Sequence, residues 1–264
     1  MNQLRVAGIV LFLAGAGCSA STEPGTQSEK VSVGSAADGE LSVELLTDTR
    51  LETGMTPIYL RIAASGQPVT DASVTFVPLM TMTGTMSHSA PVIGPVALDS
   101  DGDYRCDVVF QMATSEMGSW SATVKITRTG GAPVEVAFPS LAVADSGRAK
   151  TFLYTDPATS AQTKYVASLN FSKPPKVGLN TVVLTLHERV DAMTFVPVLD
   201  ATMTMDPQMP SMGHGSPGSV NPTATSQGRY EGQLSFSMAG AWETTVAVER
   251  GGVAVGKATF ATEF

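Results

Sequence analysis

Apolar and polar residues alternate along this chain with a period of two, and no segment carries a 3.6-residue apolar stripe. Alternating runs near 41–48, 57–64, 72–82, 103–112, 119–128 and 132–141 predict a first series of strands. A second series follows near 164–171, 180–188, 192–205, 229–238, 241–249 and 253–261. The runs are short, rich in Val, Thr and aromatic residues, and punctuated by Gly, Pro, Asp and Ser, as in antiparallel sandwiches. Gly130-Gly131 and Gly251-Gly252 fall between the last two runs of each series, where hairpin turns belong. Residues 148–156 read either as an added strand or as the connection between the series.

Landmark residues recur between the two series. Phe76-Val77-Pro78 returns as Phe195-Val196-Pro197, an offset of 119. Met86-Ser-His88 returns as Met212-Gly-His214, and Tyr104 and Phe110 return as Tyr230 and Phe236, all at 126. Trp120 and Phe138 return as Trp242 and Phe260 at 122. The expected fold is all-β: two tandem immunoglobulin-like antiparallel β-sandwiches over 41–145 and 164–264, joined by a linker at 146–163. Read this way, the offset grows by seven inside the Met/His loop, so the second copy is expected to carry the longer loop.

The N-terminal residues belong to targeting rather than to the fold. Arg5 precedes an apolar run at 6–14 and small residues at 15–17, which makes 1–17 a secretory signal too short to span a bilayer. The run ends at Cys18 in the manner of a bacterial lipoprotein signal, with Cys18 the lipidated residue and the membrane anchor. Gly15 departs from the usual Leu or Val three residues before that cysteine. Residues 18–40 are poor in large apolar side chains and read as a flexible tether. The expected location is the bacterial cell envelope, outside the cytoplasm.

A net charge of −8 argues against a nucleic-acid partner. Beyond Cys18 the chain has a single cysteine, Cys106, so an intrachain disulfide framework is excluded. Cys106 shares a face with Tyr104, Val108 and Phe110 and reads as a small buried hydrophobe. His187, beside Glu188 and Arg189 at a strand end, reads as a surface histidine. There is no nucleophile–base constellation, phosphate loop, dinucleotide fingerprint or metalloprotease helix, so the chain is not read as an enzyme.

The chemistry concentrates in Met203-Thr-Met-Asp-Pro-Gln-Met-Pro-Ser-Met-Gly-His214. Thioethers are soft, uncharged donors that select Cu(I) over Cu(II) and harder ions, and they need no deprotonation. Pro and Gly around Met209 and Met212 argue against a central strand there. Met238 is the last inward residue before the Ala239-Gly240 turn, and a loop at 206–219 folding over that end would bring Met209, Met212 and His214 to it. Met203 and Met205 are possible supplementary ligands. In the first copy the weaker candidates are Met82, Met86, His88 and Met112 or Met117, because Gly84 and Thr85 stand where the second copy has more methionine. The competing reading is an envelope interaction module whose methionines form an adaptable apolar surface rather than a metal site.

Met209-Pro-Ser-Met-Gly-His214, Gly228-Arg-Tyr230 and Phe236-Ser-Met-Ala-Gly-Ala-Trp242 together resemble the YtkA-like/FixH-like domain family of small extracytoplasmic β-sandwiches. The resemblance covers about 164–264; the first copy lacks the upstream Met-Pro and has four extra residues between Met112 and Trp120. It implies an immunoglobulin-like fold and a role in copper handling, with a haem–copper oxidase assembly or copper-efflux protein as partner. Residue by residue it nominates Met209, Met212, His214 and Met238.

Overall fold

A computed structural model describes residues 30–84 and 86–264. The expected signal, Cys18 and the start of the tether lie outside the described residues. The first half runs β1 (Val31–Asp38), β2 (Leu41–Thr47), β3 (Gly54–Ala64), β4 (Gln67–Pro68), β5 (Ala72–Met82), β6 (Ser87–His88), β7 (Val92–Leu98), β8 (Tyr104–Phe110), β9 (Gly118–Arg128) and β10 (Val134–Leu141). The second runs β11 (Ala149–Thr155), β12 (Gln162–Phe171), β13 (Gly178–Arg189), β14 (Phe195–Pro197), β15 (Ala201–Met209), β16 (His214–Gly215), β17 (Val220–Ala224), β18 (Arg229–Phe236), β19 (Ala241–Arg250) and β20 (Val253–Glu263).

Each half is an antiparallel sandwich. One sheet has the order β1-β2-β3-β8-β7 with β4 beside β3, and the other has β10-β9-β5-β6. The second half repeats both, as β11-β12-β13-β18-β17 with β14, and β16-β15-β19-β20. Alternation produces this because the inward residues of β9 (Trp120, Ala122, Val124, Ile126) are buried and meet those of β5 and β8 in one core. Trp242, Val246 and Val248 of β19 do the same in the second core. Cys106 is buried in the first core, and burial pushes its thiol up to about 12.

Three boundaries differ from expectation. The tether does not extend to residue 40: residues 31–38 form β1, paired along β2 from Val31↔Thr47 to Asp38↔Leu41. Just ahead of it, Lys30 Nζ lies 2.9 Å from both Asp99 and Asp103 and 3.0 Å from Asp101. Likewise 146–163 is not a linker, since 149–155 is β11, the edge strand of the second sandwich. Its Phe152 and Tyr154 lie against the second core. Only Val33 and Ala36 of β1 reach the first core, which left that edge strand with little apolar signal. The expected strand at 192–205 is two elements, β14 and β15.

Strand register also corrects the repeat. Pro78 lies opposite Ala122, and Pro207 lies opposite Thr244. The paired tryptophans place β19 on β9 at 122 (242 − 120), so Pro207 is the counterpart of Pro78, at 129 (207 − 78). Phe195-Val196-Pro197 is not the counterpart of Phe76-Val77-Pro78; it is β14, which takes the place of β4. The extra residues enter between β13 and β14. Val69 N–H donates to Ile62 O and Val198 N–H to Leu186 O, positions whose offsets are 124 (186 − 62) and 129 (198 − 69).

The two sandwiches meet through the outer faces of their β3- and β13-containing sheets. Ile93, Val109 and Val166 form a buried cluster there, with Met55 and Phe195 against it. Ser168 and Thr185 are fully buried and share a hydrogen bond of 2.7 Å. Arg229 of the second half pairs with the buried Asp107 of the first. The surface reading of His187 is overturned: it is only 3 % exposed, with Gly228 close against its ring. Burial, with Arg229 nearby, pushes its pKa down to about 4.

Candidate metal centre

In the second sandwich, β15 carries Met203, Met205, Pro207 and Met209 inward in strict alternation. Pro207 is tolerated because β15 pairs fully only with β19; its other side meets the two-residue β16. The expected 206–219 loop is therefore partly strand, with 206–209 in β15 and 214–215 in β16, and the turn between them is residues 210–213. Met212 N–H and Gly213 N–H both donate to Met209 O, at 3.1 and 2.9 Å, and Gly213 supplies the positive φ that closes the turn.

Register then places the donors. Met209 is the direct partner of His214 across the β15–β16 hairpin. Gln208 lies opposite Glu243, so the end of β15 sits beside the start of β19 and the β18–β19 turn that carries Met238. That turn is fixed from beneath: Trp242 Nε1–H donates to Met238 O at 3.0 Å. Met209 Cε reaches under it, so close that a Cβ at Gly240 would lie 3.1 Å away. The His214 ring meets Trp242 edge-on at 5.9 Å. His214 Nδ1 lies 3.0 Å from Gly215 O, a carbonyl that can only accept, so Nδ1 is the donor and, in the neutral ring, Nε2 keeps its lone pair. Met209 is buried, whereas Met212 is 61 % and Met238 39 % exposed.

Met203 and Met205 do not join this group. Both are core residues, and at roughly 3.3 Å per residue they lie about 20 and 13 Å along the strand from Met209. Their counterparts in the first half are Val74 and Phe76, opposite Ile126 and Val124 as Met203 and Met205 are opposite Val248 and Val246. At these positions methionine replaces ordinary core side chains.

The same constellation stands in the first sandwich. Met80 is the partner of His88 across the β5–β6 hairpin and lies opposite Trp120. Trp120 Nε1–H donates to Met112 O at 2.9 Å, His88 Nδ1 to Ser89 O at 2.9 Å, and the His88 and Trp120 rings meet at 5.7 Å. Met86, two residues before His88, is exposed like Met212. The matched set is thus Met80, Met86, His88 and Met112. Met80 was missed, because the Phe-Val-Pro coincidence shifted the register of β5; the Pro78 to Pro207 offset was the signal that would have found it. Met82 corresponds in register to Ser211, and Met117 is exposed within the four extra residues before Trp120, so neither has a methionine counterpart. The loop relation is reversed as well. Seven residues separate Met80 from His88 and four separate Met209 from His214, so the second copy has the shorter turn.

Surroundings separate the two sets. At the second, Met212 and Met238 are exposed, and the depression beside the turn, lined by Pro210, Ser211, Trp242, Glu243 and Glu263, includes none of the four donors. The first opens into a cleft of about 650 Å³ between the sandwiches, walled by Met82, Met86, His88 and Met112 on one side. Lys164, Val166, Arg189, Ala192 and Phe195 form the other wall. Ser89 N–H donates to Ala192 O at 2.8 Å, so the inserted β13–β14 turn covers the first hairpin. Burial lowers the His88 pKa, and the Arg189 and Lys164 charges lower it further.

A family model described as YtkA-like matches residues 35–125 and 159–247. The chain belongs to the YtkA-like family, with one family domain in each sandwich. Membership suggests an extracytoplasmic domain module. No curated protein is significantly similar to the chain.

Proposed function

We propose that this chain is a lipid-anchored extracytoplasmic protein that binds Cu(I) at its second YtkA-like domain and buffers, delivers or senses it. The observation that carries the reading is the second hairpin itself. Met209 and His214 face each other in register, the Met238 turn is tied to Trp242, and the Nε2 lone pair of His214 is free. Three thioethers and one neutral imidazole are a soft donor set that suits Cu(I). Exposed Met212 and half-exposed Met238 leave the group open to a transfer partner, such as an oxidase-assembly or copper-efflux protein. Cys18 supplies the anchor, holding the domains at a membrane surface.

Anaerobic competition for Cu(I) tests the site. Met212→Leu and Met238→Leu each keep the side-chain volume and remove a donor, so the fold should persist and affinity should fall. If both variants bind as the parent does, the methionines serve contact rather than coordination, and the interaction-module reading replaces this one. For the anchor, Cys18→Ser should move the protein from the membrane to the soluble envelope fraction. An unchanged distribution would remove Cys18 from that role.

A further inference from the structure

The cleft between the sandwiches has a chemistry of its own. Its first wall is thioether, from Met82, Met86 and Met112, and its second contributes Val166 and Phe195. Two cations, Lys164 and Arg189, line it as well, and no carboxylate does. Among the described residues neither has an ion-pair partner; Arg189 uses Nε to donate to Asp191 O at 3.0 Å. Asp191 feels the Arg189 charge without closing an ion pair, so two neighbouring cations beside an apolar wall have no carboxylate in direct contact. A further polar group there is unsatisfied. Gln111 lines the same cleft and gives its Nε2–H to Ser89 O at 3.3 Å, which leaves its buried Oε1 with no donor. The volume, about 650 Å³, is that of a small-molecule site.

We infer that this cleft binds a small organic carboxylate with an apolar body and one hydrogen-bond donor. The carboxylate lies by Lys164 and Arg189 at the mouth, the body rests on the methionines, Val166 and Phe195, and the donor serves Gln111 Oε1. The site exists only in the assembled pair of domains. The residues inserted between β13 and β14 close it, through Ala192 on Ser89. The same cations that attract a carboxylate repel a metal ion from His88, so the two YtkA-like domains take ligands of opposite charge.

Three probes of one shape test this with the full chain: indole-3-acetate, the neutral indole-3-acetamide and the cationic tryptamine, titrated by calorimetry. Indole-3-acetate should bind saturably, at least about tenfold more tightly than the amide, and tryptamine should not bind. Lys164→Met should weaken the acetate by about tenfold while Lys164→Arg restores it, and Met238→Leu in the other domain should change nothing. Equal affinity for the three probes, no acetate binding at all, or acetate binding that survives Lys164→Met combined with Arg189→Met would overturn the inference.

Discussion

The hairpin from Met80 to His88 and the hairpin from Met209 to His214 hold the same donor types on the same scaffold. In each, a buried methionine pairs with a histidine, the histidine meets a tryptophan edge, and the tryptophan N–H holds the carbonyl of a further methionine. They differ in what faces them. Lys164, Arg189 and the β13–β14 turn stand over the first, while Met212 and Met238 of the second are exposed. A donor set alone therefore does not define a metal site; cover and local charge decide whether a cation is welcome.

The largest effect should come from separating the two halves. Arg229→Met leaves the buried Asp107 with only Arg105, 3.5 Å away in its own half, and the loss of the cross-domain partner should cost about 1 to 3 kcal/mol. Chemical denaturation should show that loss. If stability is unchanged, the domains do not depend on this contact and the cover over His88 is not fixed by it.

Acid should destabilise the fold as well. Folded His187 titrates near 4 rather than 6.5 because it is buried near Arg229. Between those values the unfolded chain binds the proton and the folded chain does not, so stability falls as pH drops from about 6.5 to 4, by up to about 3 kcal/mol. His187→Gln should flatten that part of the pH–stability curve. A variant that keeps the parent's slope there would assign the acid sensitivity to other groups.

Charge reversal sharpens the comparison at the first hairpin. Lys164→Glu with Arg189→Glu should raise its Cu(I) affinity by about tenfold or more, since the donors are already in place. No gain would mean that cover, not charge, closes the first site. The smallest effect belongs to the core methionines: Met203→Leu and Met205→Leu should each cost less than about 1.5 kcal/mol and leave Cu(I) binding unaltered. A fall in metal affinity would return them to the site.

Much of this was legible in the chain. Period-two alternation and the recurring Tyr, Phe and Trp landmarks defined two sandwiches, since those aromatics sit in both cores and tolerate little change of position. Met209, Met212, His214 and Met238 were readable from their spacing and now lie around two adjacent turns. What escaped had weak local signal. β1 is an edge strand of small residues with little apolar burial, and β7 and β17 are interrupted by Pro95 and Pro222 and by shifts in pairing register. His187 sits beside polar neighbours in sequence, but the segment that packs on its ring, around Gly228, is 41 residues (228 − 187) further along the chain. Met80 needed the register of β5 on β9, which a chance Phe-Val-Pro repeat obscured.

The most direct test counts Cu(I) per chain by anaerobic competition in three proteins: the parent, His214→Ala and His88→Ala. The account predicts one tight equivalent in the parent, its loss in His214→Ala and its full retention in His88→Ala. Two equivalents of equal affinity in the parent, or loss of the tight equivalent in His88→Ala, would contradict it.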